Sequence, residues 1–339
     1  MSYRIQEPPF SIQWESTEGC TLRCSFCGLN SIRTNERTYS YMTIKTATRI
    51  AKEIARMGWK SRLELAMHGE TTKNPQVLEL ISIFRKYLPD NFMLMETNGG
   101  GFLGKSPEEI TQKVLAYFFA GLDTIGLDEY QTVPWANIVR TKIIRTVLED
   151  NQIKFHEYPS DPEGNPHSRS KKKRLVIISP IDLADHGTHS ELNNHAGGGA
   201  PLDTSMIHER CAKPFRELSI RWDGNVALCC NDWVGAYKIG NVLQTPINKI
   251  WNHPRFYAAR QKLLHKQRDF TPCLGCNNRS YRVGLLPDKF GRETLPLPDA
   301  KTEKILKEAV DKGPLASPVD RGWNTDRSLV QIVPSRHLL

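Results

Sequence analysis

The sequence predicts an α/β chain: an open or partial barrel of six parallel strands followed by a small cysteine-rich module. Two observations lead there. From Ile12 to about Pro180, short apolar stretches alternate with helical patterns, and strands alternating with helices imply parallel βα units. The eight cysteines are also split: Cys20, Cys24 and Cys27 lie at the front, and Cys211, Cys229, Cys230, Cys273 and Cys276 all lie beyond residue 210.

The six strands are read at residues 12–16, 63–67, 92–96, 124–127, 153–158 and 175–178. Helices are read at 43–58, with Thr43 as N-cap and Gly58 as stop, and at 75–88, 107–120 and 135–150. The stretch 159–173 is too short and polar for a fifth helix, which opens one side of the barrel. Loops that carry function gather at the carboxyl ends of such strands, and the first cysteines follow the first strand. Residues 180–210, with His186, His189, His195 and a run of three glycines, read as a linker, and a zinc site on those histidines is a minor alternative. Asp223-Gly224 between apolar residues signals a hairpin. The tail past Ser280 is polar and dotted with proline, with one helix at 300–310. The expected division is 1–180 barrel, 181–210 linker, 211–280 cysteine module and 281–339 tail.

The chain has 339 residues, of which 39% are hydrophobic and 24% charged, an ordinary globular composition. No apolar run is long enough to span a bilayer, so no membrane partner is expected. The N-terminal residues lack an apolar signal core, and a cytoplasmic location follows as the expectation. Lys plus Arg (46) exceeds Asp plus Glu (37), a net charge of +9 that favours anionic partners such as nucleic acid. Part of the excess is the run Arg169, Lys171, Lys172, Lys173 and Arg174, which also reads as a solvated basic loop.

Clustered cysteines in a reducing compartment point to metal or catalysis rather than disulfides. Cys20, Cys24 and Cys27 are spaced four and then three apart. A loop of that spacing wraps one corner of an iron–sulfur cubane and ligates three irons, leaving the fourth open. Zinc is the alternative, but a structural zinc site needs four protein ligands and no fourth lies nearby.

This CxxxCxΦC run, with Phe26 as the aromatic residue, resembles the signature of the radical S-adenosylmethionine (SAM) superfamily. Further motifs fall in order. His68-Gly69-Glu70-Thr71 resembles the family's GGEP segment, which holds the amino group of the SAM methionine, with His68 and Thr71 departing from it. Glu96-Thr97-Asn98-Gly99 is similar to its TNG segment near the ribose, and Gly126-Leu127-Asp128 resembles its S-x-D segment with Gly in place of Ser. The resemblance implies a catalytic 4Fe-4S cluster on Cys20, Cys24 and Cys27. It implies SAM contacts from Phe26, Gly69, Glu70, Thr97, Asn98 and Asp128, and a 5′-deoxyadenosyl radical that abstracts hydrogen from a substrate. It also implies a reductant protein such as a flavodoxin or ferredoxin.

Cys211, Gly224 and Cys229 form CX12GX4C, followed by Cys273-Leu-Gly-Cys276. This resembles the SPASM/twitch extension of radical SAM enzymes. A full SPASM motif continues with more cysteines, whereas Cys276 is the last here. The resemblance therefore implies one auxiliary 4Fe-4S cluster on Cys211, Cys229, Cys273 and Cys276, with Cys230 outside the set as a buried small residue or a substitute ligand. A four-cysteine zinc ribbon is the alternative. The substrate expected is a peptide or another sizeable molecule. The competing readings are radical modification of a nucleic acid or nucleoside, and a non-catalytic zinc or iron–sulfur protein that binds nucleic acid.

Overall fold

The computed structural model describes residues 7–24, 27–31, 39–102, 104–130, 144–157, 175–181, 194–198, 208–278, 295–310 and 330–332. The basic run at 169–174, His186, His189, Phe26 and most of the expected linker lie outside the described residues. Among the described residues, no helix is long and apolar enough to cross a membrane.

The barrel strands are β1 (Ser11–Trp14), β2 (Arg62–Leu65), β3 (Met93–Thr97), β4 (Thr124–Tyr130), β5 (Lys154–Glu157) and β6 (Leu175–Ile181). Between them run α1 (Ile44–Met57), α2 (Val77–Tyr87) and α3 (Pro107–Ala120), and residues 144–150 are helical before β5. All pairings among these six strands are parallel. α1 and α3 begin and end where the sequence says, whereas α2 starts at Val77, two residues after the expected Pro75. Thr43 accepts the amide of Thr46 and caps α1, and Gly58 closes it in the left-handed conformation. Ser106 and Glu109 form a reciprocal capping box at the start of α3.

The strand order departs from chain order at the far edge. β6 pairs with β4 on one side and β5 on the other, so β5 is the edge strand. The sequences explain the choice. β6 reads Leu-Val-Ile-Ile-Ser-Pro-Ile and suits a position covered on both sides, whereas Lys154-Phe-His-Glu157 carries the charges that protect an edge.

The second module contributes α4 (Lys213–Arg216), β7 (Glu217–Ile220), β8 (Asn225–Ala227), β9 (Gly240–Asn241), α5 (Ile247–Trp251) and α6 (Pro254–Leu264), and α7 (Ala300–Ala309) packs on α6. β7 and β8 form the hairpin expected at Asp223-Gly224, where Gly224 takes φ of 84°. This hairpin does not stand apart. β7 pairs parallel with β1, in register from Ser11↔Glu217 to Trp14↔Ile220, so one nine-stranded sheet runs β9-β8-β7-β1-β2-β3-β4-β6-β5. The tail returns as well, and Val330–Ile332 pairs antiparallel with Leu22–Cys24, beside the first cysteines.

The core is continuous across the sheet. Trp14, fully buried on β1, stacks on Phe84 of α2 with ring centroids 4.2 Å apart. Arg260 of α6 is buried with its guanidinium 4.3 Å from the Trp251 ring centroid and donates to the carbonyls of Pro214 and Trp251. It fastens α4 and α5 onto α6. Across the modules, buried Glu53 of α1 accepts the backbone amide of Ile247 at 2.6 Å, at the first turn of α5. A hydrogen bond to a charged group contributes about 1.5–3 kcal/mol. Glu53→Ala is therefore expected to lower the thermal midpoint of the anaerobically prepared protein by several degrees, and Glu53→Gln, which keeps an acceptor, by less. Equal midpoints for wild type and Glu53→Ala in differential scanning fluorimetry would contradict this cross-module bond.

Candidate functional site

β1 delivers the first cysteines to the carboxyl end of the sheet, where the loops after β2 and β3 also end. Three segments distant in sequence meet there. Gly69 bridges to Gly19, and the amide of Glu70 donates to the carbonyl of Gly19 at 2.8 Å. A Cβ on Gly69 would lie 2.0 Å from the Thr17 carbonyl oxygen, so only glycine allows this approach. The buried Glu70 carboxylate then gathers the third segment. One oxygen accepts the amide of Thr72 at 3.0 Å and the hydroxyls of Thr72 and Thr97; the other accepts the amide of Asn98 at 2.9 Å. Asn98 closes the circuit by donating from Nδ2 to Cys20 Sγ at 3.1 Å, and the amide of Leu22 donates to the same sulfur at 3.3 Å.

The donor chemistry fits a metal-bound thiolate, because hydrogen bonds aimed at a ligating sulfur stabilise its charge and tune the cluster. Cys24 is buried, Cys20 and Cys27 are half-buried, and the amide of Cys27 donates to the carbonyl of Cys24 at 3.0 Å. Beside Cys20, the hydroxyl of Thr21 is buried and has no hydrogen-bond partner among the described residues. A buried polar atom of this kind is a contact point for a bound polar molecule. Asp128 lies on the neighbouring strand β4, half-buried and opposite Ser179 of β6. Phe26 lies outside the described residues.

In the second module Cys211, Cys229 and Cys276 are buried and Cys273 is half-buried, and none of the eight cysteines is in a disulfide. Burial pushes the thiols of Cys229 and Cys273 well up, and each is raised further by neighbouring cysteines: Cys230, Cys211 and Cys273 around Cys229, and Cys276 and Cys211 around Cys273. Burial likewise raises Cys276, which also senses Cys211. Three thiols costly to ionise, with Cys211 beside them, are a donor set for a cation that takes up their charge on binding. Among the described residues, no three His, Cys, Asp or Glu side chains converge to hold a single metal ion. Cys230 takes another direction. Its Sγ lies 3.1 Å from Lys213 Nζ, and Lys213 pairs with Glu217 at 3.3 Å.

Between the two cysteine groups lies a buried polar cluster that the motifs do not name. His68 Nδ1 is 2.8 Å from Glu15 Oε1, with both side chains fully buried. The two atoms face each other in the buried interior, and neither has another hydrogen-bond partner among the described residues. Burial pushes the Glu15 carboxyl up, but His68, then Arg221, and the Trp222 amide outweigh it and leave the group below the ordinary carboxylate value. Arg221 also pairs with Glu18 and donates to the carbonyl of Trp233 at 2.8 Å. Trp233 in turn donates from Nε1 to His195 Nδ1 at 2.9 Å. Burial first, then the charges of His68 and Lys213, depress His195 to about 3, which keeps it a neutral acceptor at physiological pH. The sequence signal for this cluster was slight: acidic Glu15 and Glu18 flank the start of the cysteine loop, and His68 occupies a glycine position.

Comparison with known proteins bears on the two parts of the chain. The sequence matches the family model of the radical SAM superfamily over residues 14–128 and that of SPASM, an iron–sulfur cluster-binding domain, over 211–277. No curated protein sequence matches the chain. Among solved structures, BtrN in complex with AdoMet and 2-DOIA is similar at 16% identity with a TM-score of 0.58, over 81% of this chain and 95% of that one. BtrN in an open conformation is similar at 14% identity with a TM-score of 0.52, over 81% and 94%. Streptococcus suis SuiB bound to precursor peptide SuiA gives 14% identity and a TM-score of 0.41, over 79% and 69%. At these identities the likeness to BtrN is one of fold. The two family models match the barrel and the cysteine module in order, and on that ground the chain belongs to the radical SAM superfamily, as an enzyme that uses SAM and a 4Fe-4S cluster and carries a SPASM iron–sulfur domain behind its barrel.

Proposed function

We propose that this enzyme reductively cleaves SAM at a cluster held by Cys20, Cys24 and Cys27 and abstracts hydrogen from a peptide or another sizeable substrate. The observation that carries the SAM half is the Glu70 carboxylate, which joins the loops after β1, β2 and β3 through Thr72, Thr97 and Asn98, with Asn98 on Cys20. When bound, the cluster and SAM supply one electron from a reduced flavodoxin or ferredoxin and a 5′-deoxyadenosyl radical that takes a hydrogen atom from the substrate.

The chain's own residues bind and orient. Glu70 fixes the spacing between the GGEP-like and TNG-like segments, so the amides and carbonyls of both are set before SAM arrives. Thr21 offers its hydroxyl next to Cys20, and Asp128 on β4 is the ribose-side candidate. Cys211, Cys229, Cys273 and Cys276 would fully ligate the auxiliary cluster, which suits electron transfer or scaffolding rather than substrate coordination. The substrate reading rests on the SPASM domain behind the barrel. The net charge of +9 favours a nucleic acid as the second reading. Deuterium carried from a labelled candidate substrate into 5′-deoxyadenosine distinguishes them: label from a peptide but not from an oligonucleotide supports the first.

Two cubanes give about eight irons per chain after anaerobic reconstitution. Changing Cys20, Cys24 and Cys27 together to Ala is expected to leave about four irons and to abolish 5′-deoxyadenosine formation. A triple variant that still makes 5′-deoxyadenosine would remove the first cluster's assignment.

The second module gives a sharper contrast between adjacent residues. Cys229→Ala is expected to lose the auxiliary cluster while SAM cleavage survives in part. Cys230→Ala, whose sulfur sits against Lys213, is expected to keep it. Iron counts and paramagnetic resonance of the two single variants read this directly, and loss of the auxiliary signal in Cys230→Ala alone would place the ligand register one residue later.

A further inference from the structure

His68 stands where the GGEP-like segment would have a glycine, and a buried imidazole there needs a reason. The residue before it, Met67, has φ of 96°, a backbone conformation that a side-chain-bearing residue adopts only when its surroundings impose it. Those surroundings are contacts from both modules. On the barrel side Nδ1 faces Glu15 at 2.8 Å. On the other side Nε2 meets the carbonyl of Cys230 at 3.0 Å, one residue past the proposed ligand Cys229, and the ring lies 4.4 Å from that of Trp233.

Residues 229–233 form a compact loop. The amide of Asp232 donates to the carbonyl of Cys229 at 3.1 Å, and the Asp232 carboxylate accepts the amides of Ala236 and Tyr237 at 2.7 and 3.1 Å. The far end of this loop touches the first cysteine loop. A Cβ on Gly28, next to Cys27, would lie 2.7 Å from the Trp233 ring. Immediately after His68, Gly69 and Glu70 are stitched to Gly19 and reach Asn98 and Cys20. The auxiliary ligand loop and the SAM-binding segment therefore share one buried side chain.

We propose that His68 is a positioning residue that couples the auxiliary cluster to SAM binding. A metal-ligated Cys229 fixes the carbonyl of Cys230 and the ring of Trp233; these hold His68, and His68 holds Gly69 and Glu70 in register with Gly19 and Asn98. When the auxiliary cluster is absent the loop loosens, His68 loses its outer anchor, and the backbone around Met67 relaxes out of the SAM-binding arrangement. Coupling of this kind is reciprocal, so SAM also stabilises the auxiliary loop. The proposal rests on the reading that this segment binds SAM, and its test separates the two.

The experiment is a double-mutant cycle on the SAM dissociation constant, measured anaerobically by equilibrium dialysis on wild type, Cys276→Ala, His68→Leu and the double variant. Each protein is first shown to carry about four irons in its first cluster. Cys276→Ala, which removes an auxiliary ligand far from His68 in sequence, is expected to weaken SAM about tenfold when His68 is present and less than twofold in the His68→Leu background. If His68→Leu does not load its first cluster, His68→Gly, the motif's own residue, is the second background. The same loss of affinity in both backgrounds, or no loss from Cys276→Ala in either, overturns the coupling through His68. A wild type with both clusters that binds no SAM overturns the underlying functional reading instead.

Discussion

The parallel pairing of β1 with β7 is the constraint on which the rest of the site depends. It ends with the amide of Glu15 donating to the carbonyl of Ile220 at 2.9 Å, so residues 15 and 221 leave the sheet side by side at its carboxyl end. Ligand sites of parallel sheets form at that end. Here one strand carries the chain into Cys20, Cys24 and Cys27 and its neighbour carries it into the hairpin that returns to Cys229. Two cysteine groups almost two hundred residues apart in sequence are thereby fixed by main-chain hydrogen bonds rather than by a flexible connection.

The side chains at that junction are titratable, and charge in a dry interface carries a cost. Glu15, His68 and Arg221 are buried, and burial raises both Glu15 and Glu18 before any partner acts. Attraction to His68 and Arg221 reverses the effect for Glu15 but not for Glu18, which also faces the charge of Glu15. Such a network adds little net stability compared with an apolar contact of the same size, but breaking one member leaves an uncompensated charge. Its benefit is register: Arg221 reaches Glu18 and the carbonyl of Trp233 only when the hairpin and the cysteine loop are correctly placed. The same argument applies to Glu70, whose carboxylate accepts four donors from three residues and admits few alternative loop arrangements.

What could be read from the sequence followed from how local each signal is. Thr43 and Gly58 act within one helical turn, and α1 and α3 begin and end at the expected residues. Gly69, Glu70, Thr97 and Asn98 were recognisable because each motif is a short string at a strand end. The edge position of β5 was not visible, since it depends on which of two late strands is covered on both sides. The return of Val330–Ile332 to the cysteine loop was equally hidden, since its pairing spans most of the chain. Glu15, His68 and Trp233 were missed for a related reason. Each looks unremarkable in its own segment and has meaning only through partners in the other module. His68 did leave a trace, as a motif departure that weakened the match and proved to be the point of contact.

The central claim is that the first cluster has one iron open to SAM and that the loops around Glu70 present SAM to it. The most direct measurement is low-temperature paramagnetic resonance of the reduced Cys276→Ala variant, in which the first cluster is observed alone, before and after saturating SAM. The account predicts that SAM changes the g-values of that signal, and that the change is lost in a variant that also carries Glu70→Ala but still loads its first cluster. A signal that stays the same when SAM is added to Cys276→Ala, with SAM binding confirmed on the same sample, would contradict it.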